Sequence, residues 1–115
     1  MKLPNRHEAI VPQAKVADYL LSDTHPVGRG KAGFFKRFGF HTEEWTRLAE
    51  ALRDHGTVHE VARTQDTEFG TRYIVEGPLD TPDGRRPLVR SVWFIRTGAA
   101  VPRFVSAYPL ARSES

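Results

Sequence analysis

This sequence predicts an α+β fold, with about three N-terminal helices packed on a four-stranded antiparallel sheet. Three observations carry that prediction. Apolar residues recur at helical spacing up to about residue 56. From Thr57 the period changes to the two-residue alternation of strands, with many β-branched residues. The strand-like runs are joined by short turn signals, which favour antiparallel neighbours over crossovers.

Residues 1–11 read as an extended lead-in whose apolar part is Ile10-Val11. Pro12 suits the first turn of a helix, where its missing N–H is not needed. That helix runs to about Leu21, with Val16 and Leu20, and Ala17 and Leu21, paired at i,i+4. Ser22-Asp23-Thr24 stops it, and Pro26 forbids its continuation. A second, short helix starts near Gly30 or Lys31 and ends at Gly39, a suitable C′ glycine. Its Phe34, Phe35 and Phe38 point to the core. In the third helix, Thr42 is an N-cap candidate, and Glu43 and Glu44 complement the helix dipole. Trp45, Leu48, Ala49 and Leu52 form the apolar stripe, and Gly56 is expected to end the helix.

Strands are expected over Thr57–Thr64, Thr71–Gly77, Leu88–Arg96 and Arg103–Tyr108. Thr81-Pro82-Asp83-Gly84 has the residues of a type I turn. Leu88–Arg96 is apolar on both faces and reads as a central strand. Pro109 ends the last strand. The chain is thus one domain: lead-in 1–11, helical part 12–56, sheet 57–109 and tail 110–115.

A chain of 115 residues, 39% of them hydrophobic, can bury a core. No run of about 18 apolar residues exists, so no membrane partner is expected. The first residues lack the apolar stretch of a secretory signal. The absence of cysteine excludes disulfides, thiol catalysis and Cys-ligated zinc. The lack of cysteine fits a cytoplasmic location, and equally a module cut from a longer secreted protein. Net charge is +3, but its distribution says more. Thr24–Thr42 holds Arg29, Lys31, Lys36 and Arg37 and no acid. Gly84–Ser113 holds Arg85, Arg86, Arg90, Arg96, Arg103 and Arg112, again with no acid. Between them, Glu43–Asp83 carries ten acids against four bases. If the basic blocks meet, they form a phosphate-attracting face; otherwise they pair with the acidic segment on an ordinary surface.

The stretch Asp23–Phe35 stands out, because it brings an imidazole, fixed positive charge and permissive backbone into one loop. Together with other blocks it carries a resemblance. Asp18-Tyr19-Leu20-Leu21, His25-Pro26-Val27-Gly28 and Lys31-Ala32-x-Phe34-Phe35 are followed by Tyr73-x-Val75-x-Gly77, by Val92-Trp93 and by Pro102–Pro109 (PRFVSAYP). This order resembles a bacterial family of small domains of unknown function. Phe104 and Ser106 stand where that family more often has Leu and Thr. The HPVG-x-x-KA block is similar to metal-independent ribonuclease toxins of the barnase–EndoU–colicin–RelE (BECR) superfamily, found in toxin–antitoxin and polymorphic toxin systems. The resemblance implies RNA held across the sheet and a cognate antitoxin or immunity protein as partner.

Metal-free cleavage of RNA by 2′-OH attack needs a base, an acid and donors or cations for the phosphoryl oxygens. No cofactor and no metal are expected. His25 is the acid or base candidate, because both imidazole protonation states are reachable near neutrality. Lys31, at a helix start, suits a phosphate. Gly28 and Arg29 lie in the same loop, where backbone and charge can approach a substrate. In the second basic block, Arg90, Ser106 and Tyr108 are the catalytic candidates, and Arg103 and Tyr73 the substrate-binding ones. Ser106 and Tyr108 share a strand face, and Arg90 can share it from the next strand. His55 and His59 are four apart, but with Gly56 between them and no third ligand no zinc site is expected. A non-catalytic domain of the same fold, binding protein or RNA, is the alternative reading.

Overall fold

The computed structural model describes residues 1–26 and 29–110, with the side chain of Arg29 excluded. The arrangement is three helices followed by a four-stranded antiparallel sheet, as the sequence predicts. A short 3₁₀ turn, Arg6–Glu8, precedes α1, which opens over Gln13–Lys15 and continues as a π-helical turn over Val16–Leu20. Then come α2 (Arg29–Arg37), a 3₁₀ turn (Thr42–Glu44) and α3 (Trp45–Val58). The strands are β1 (Val61–Thr67), β2 (Gly70–Pro78), β3 (Leu88–Arg96) and β4 (Arg103–Pro109), in spatial order β1-β2-β3-β4. Among the described residues, no helix is long and apolar enough to cross a membrane.

Pro12 precedes α1 in extended conformation, φ −66° and ψ 142°, and presets the helix entry. The π turn is closed by the Leu21 N–H donating to the Val16 carbonyl at 2.9 Å. The wider turn keeps Val16, Leu20 and Leu21 all buried. Gly39 follows α2 at φ 101°, a conformation glycine adopts without strain.

The helices cover one face of the sheet. Val16, Leu20, Phe35, Leu48 and Leu52 pack there against Val75, Val89, Trp93, Phe104 and Ala107. The lead-in is less extended than expected. Leu3 is fully buried, and Ile10 forms a parallel bridge to Arg103, with its carbonyl accepting from the Phe104 N–H at 2.8 Å.

Three boundaries differ for physical reasons. Gly56 does not end α3, which continues to Val58; its missing side chain makes room for the Trp93 indole instead. A Cβ at Gly56 would lie 2.7 Å from Trp93 Cζ2. The added helical residues delay β1 to Val61. Thr42 is not a side-chain cap: its hydroxyl donates to the Leu21 carbonyl at 3.3 Å and ties α3 back to α1.

The sheet has two chemically different faces. Val75, Ser91, Trp93 and Ala107 point to the helices by register. Ile74, Glu76, Arg90, Val92 and Phe94 point away. In β4 a bulge places Phe104 opposite Trp93 and Ser106 opposite Val92, leaving Val105 as the extra residue. Phe104 therefore enters the core while Ser106 and Tyr108 join the outer face with Arg90.

Candidate functional site

The chemistry gathers where α1, α2 and β4 meet. Lys31, in the first turn of α2, donates from Nζ to the Tyr19 hydroxyl at 2.6 Å and to Ser106 Oγ at 2.9 Å. The two hydroxyls lie 3.3 Å apart. The same ammonium sits 4.1 Å from the centroid of the Tyr108 ring, within cation–π range. The His25 ring meets Tyr19 edge-on, with centroids 4.9 Å apart. Tyr19, His25 and Lys31 are near one another in sequence, and the fold brings Ser106 and Tyr108 of β4 to them.

An open groove of about 730 Å³ runs beside this cluster. Tyr19, His25, Ser106 and Tyr108 line it together with Lys15, Asp18, Arg103 and the apolar Pro12, Ala14 and Val105. Ser106 is 5% exposed, whereas Tyr108 is 42% exposed. The serine is thus held in place, and the tyrosine is presented to whatever enters.

Burial pushes the Tyr19 phenol up, but hydrogen bonds to Lys31 and Ser106 and the charges of Lys31 and Lys15 outweigh it. The net result is a pKa below the ordinary value of 10.0. An ammonium donating to a phenol oxygen stabilises the phenolate, so Tyr19 loses its proton more readily than a free tyrosine. Tyr19 was not singled out by its residue type or spacing. Its signal was its place in the Asp18–Leu21 block.

The other candidates are placed as follows. Arg103 lies in the groove. Arg90 lies opposite Tyr108, but its guanidinium is bound to Glu76 Oε2, with Nε at 2.8 Å and Nη2 at 2.7 Å. Tyr73 lies opposite Trp93 on the helix-facing side and packs against the core, away from the cluster. Gly28 and the side chain of Arg29 lie outside the described residues.

The two basic blocks meet in part. Lys31 reaches Ser106 and Tyr108, whereas Lys36 pairs with Asp23, Arg85 with Asp83 and Arg86 with Asp80. On the outer face, Arg63 and Arg72 stand beside Arg90, with Arg103 opposite Phe94. Glu76 is the one acid among the described strand residues of that face.

His55 is buried at 2% exposure. Its Nε2 faces the carbonyls of Gly77 and Val89, both at 3.0 Å, so that nitrogen carries the proton. Its Nδ1 accepts from the Ser91 hydroxyl at 2.8 Å, and Ser91 Oγ accepts from Trp93 Nε1 at 2.9 Å. Burial lowers its pKa to about 4, assisted by His59 and opposed by the carbonyl contacts. This network lies under the sheet and is structural. Among the described residues, no group of three or more His, Asp or Glu side chains is placed to hold a metal ion.

The architecture defines a small α+β domain whose polar cluster and groove lie between its first two helices and its last strand. The chain belongs to the family described as a domain of unknown function (DUF6883), whose model matches residues 2–111. In fold it is similar to a chain of the contact-dependent growth inhibition toxin–immunity protein complex from Klebsiella pneumoniae 342. That likeness has a TM-score of 0.67 at 18% identity and covers 88% of this chain and 99% of the other. No curated protein matches the sequence.

Proposed function

We propose that this domain is a toxin that cleaves RNA without a metal, through attack of a 2′-OH on the adjacent phosphate. The observation that carries the reading is Lys31 Nζ, which joins the Tyr19 and Ser106 hydroxyls at 2.6 and 2.9 Å beside a groove that also holds His25. The fold shared with a chain of a toxin–immunity complex supports it.

In this mechanism the Tyr19 phenolate, favoured by Lys31, takes the proton of the 2′-OH. The 2′-oxygen bonds to phosphorus and the bond from phosphorus to the 5′-oxygen breaks. His25 as imidazolium gives the leaving oxygen its proton, leaving a 2′,3′-cyclic phosphate and a 5′-OH. Lys31 and Arg103 stabilise the charge on the phosphoryl oxygens, and Ser106 and Tyr108 supply hydroxyl donors. Arg90, engaged by Glu76, contributes to the field of the outer face. The site of action is the cytoplasm of a target cell, and an antitoxin or immunity protein that covers the groove is the natural inhibitor.

A second reading draws on the same geometry. Lys31 is fully engaged as a tie between α2 and β4, as it would be in a domain that only binds RNA or protein. Induction of wild type and of His25→Ala in a bacterial host, with total RNA run on a denaturing gel, separates the two. Growth arrest and discrete RNA fragments with wild type alone support the nuclease. Intact RNA and normal growth for both overturn it. For the purified proteins, a nuclease loses turnover on His25→Ala while keeping its salt-dependent RNA affinity.

A further inference from the structure

Tyr19 and His25 are joined through a residue that lies between them in the chain. The Ser22 N–H donates to the Tyr19 carbonyl at 3.3 Å, just past the π turn of α1. The Ser22 hydroxyl oxygen accepts from the His25 N–H at 3.1 Å and from the Thr24 N–H at 3.3 Å. The Thr24 hydroxyl lies 3.3 Å from the same oxygen. Ser22 thus ties the main chain of the proposed base to the main chain of the proposed acid.

The turn is also held from outside. Asp23 pairs with Lys36 of α2 at 2.8 Å, and the Leu21 carbonyl accepts from the Thr42 hydroxyl at 3.3 Å. On the far side, Pro26 disfavours helical backbone at His25. The His25 backbone is therefore constrained at its N–H by Ser22 and at its carbonyl by Pro26. That leaves its side chain few directions, and the one adopted sets the imidazole edge-on to Tyr19, with centroids 4.9 Å apart. A turn of this kind needs a side-chain oxygen close to the backbone. Alanine at position 22 offers none, and both N–H groups would turn to water.

We propose that Ser22 is a positioning residue whose hydroxyl holds the His25 imidazole at its working angle to Tyr19. The role rests on the RNA-cleaving reading and concerns how the acid and the base are kept in register. In that reaction the 2′-oxygen enters and the 5′-oxygen leaves in line through one phosphorus. Base and acid must therefore keep a set separation, and a shift of about 1 Å in either can cost a hundredfold. Ser22 stands outside the described groove lining, so it acts through His25 and not on the substrate.

The test reads RNA cleavage and ring geometry side by side in wild type, Ser22→Ala and Ser22→Thr, which keeps the oxygen. Ser22→Ala is expected to lower kcat by about tenfold to a hundredfold, while KM stays within about threefold. Ser22→Thr is expected to restore kcat. By NMR, cross-relaxation between the His25 and Tyr19 ring protons is expected in wild type and Ser22→Thr and is lost in Ser22→Ala. Ser22→Ala with wild-type turnover and the cross-peak intact overturns the proposal. So does a loss of kcat with the cross-peak intact, or an equal loss in Ser22→Thr. The cross-peak is read without RNA. If wild type cuts no RNA, its loss in Ser22→Ala and return in Ser22→Thr still support the positioning role, and only the nuclease reading fails. A lost cross-peak with unchanged turnover likewise upholds the positioning and removes His25 from the chemistry.

Discussion

The Lys31 ammonium donates to the Tyr19 hydroxyl at 2.6 Å, joining the first turn of α2 to the π turn of α1. The contact stabilises a phenolate and links two segments that are twelve residues apart.

That contact makes Tyr19 ionisation the first quantity to follow. In a spectrophotometric pH titration, Tyr19→Phe removes a phenol that ionises below the ordinary value of 10.0, and Lys31→Met moves that phenol upward. On RNA, Tyr19→Phe lowers kcat by about 10²–10⁴, as expected for loss of a positioned base. Unchanged turnover on Tyr19→Phe would remove it from the mechanism.

The fold itself can be probed at two glycines. Gly56→Ala pushes a methyl into the Trp93 indole and costs about 1–3 kcal/mol. Gly33, inside α2, has nothing within 4 Å of its would-be Cβ. Gly33→Ala therefore stabilises by about 0.5–1 kcal/mol through helix propensity. Urea midpoints should move in opposite directions with the slopes unchanged.

Acid should weaken the domain through His55. Its folded pKa of about 4 lies below the ordinary 6.5, so the unfolded chain binds a proton that the folded chain does not. The contribution is complete above 6.5 and is lost as pH falls toward 4, about 3 kcal/mol in all. Denaturation at a series of pH values should show this slope in wild type and a shallower one in His55→Gln. The variant is less stable at every pH, since Gln cannot meet Ser91 and both carbonyls together.

Removing the acid on the outer face should strengthen RNA binding. Glu76→Gln frees the Arg90 guanidinium, which Glu76 now holds at 2.7 Å. Affinity for single-stranded RNA should rise at low salt, and the log–log salt dependence should steepen by up to about 0.7, the value for one added phosphate contact on a single strand. An unchanged slope would mean that RNA does not cross this face.

The element order was legible because the apolar period shifts from helical to alternating near Thr57, and that shift reflects burial directly. The central place of Leu88–Arg96 followed from apolar residues at successive positions. What was hidden depends on tertiary approach. Gly56 looks like a helix stop, and only the Trp93 indole against it explains why the helix continues. The burial of His55 was hidden too, because its partners Gly77, Val89 and Ser91 come from strands distant in sequence. In the site, His25, Lys31 and Ser106 stood out by type and place, whereas Tyr19 did not. The partner that alters its chemistry is a lysine across a loop, and the serine beside both is 75 residues beyond that lysine. Arg90 looked available because its acid, Glu76, is a neighbour only once β2 and β3 are in register.

The bulge at Val105 has an evolutionary consequence. With one residue outside the ladder, β4 changes phase midway, so Phe104 and Ser106 serve opposite sides of the sheet although they are two positions apart. Losing that one residue would turn every groove-facing group on one side of the bulge inward, or every core residue on the other side outward. Substitutions can tune this strand, but a single-residue deletion cannot be absorbed within it. Core and groove are therefore locked to the same reading frame of strand geometry, and variation in groove chemistry must come from side-chain exchange at fixed length.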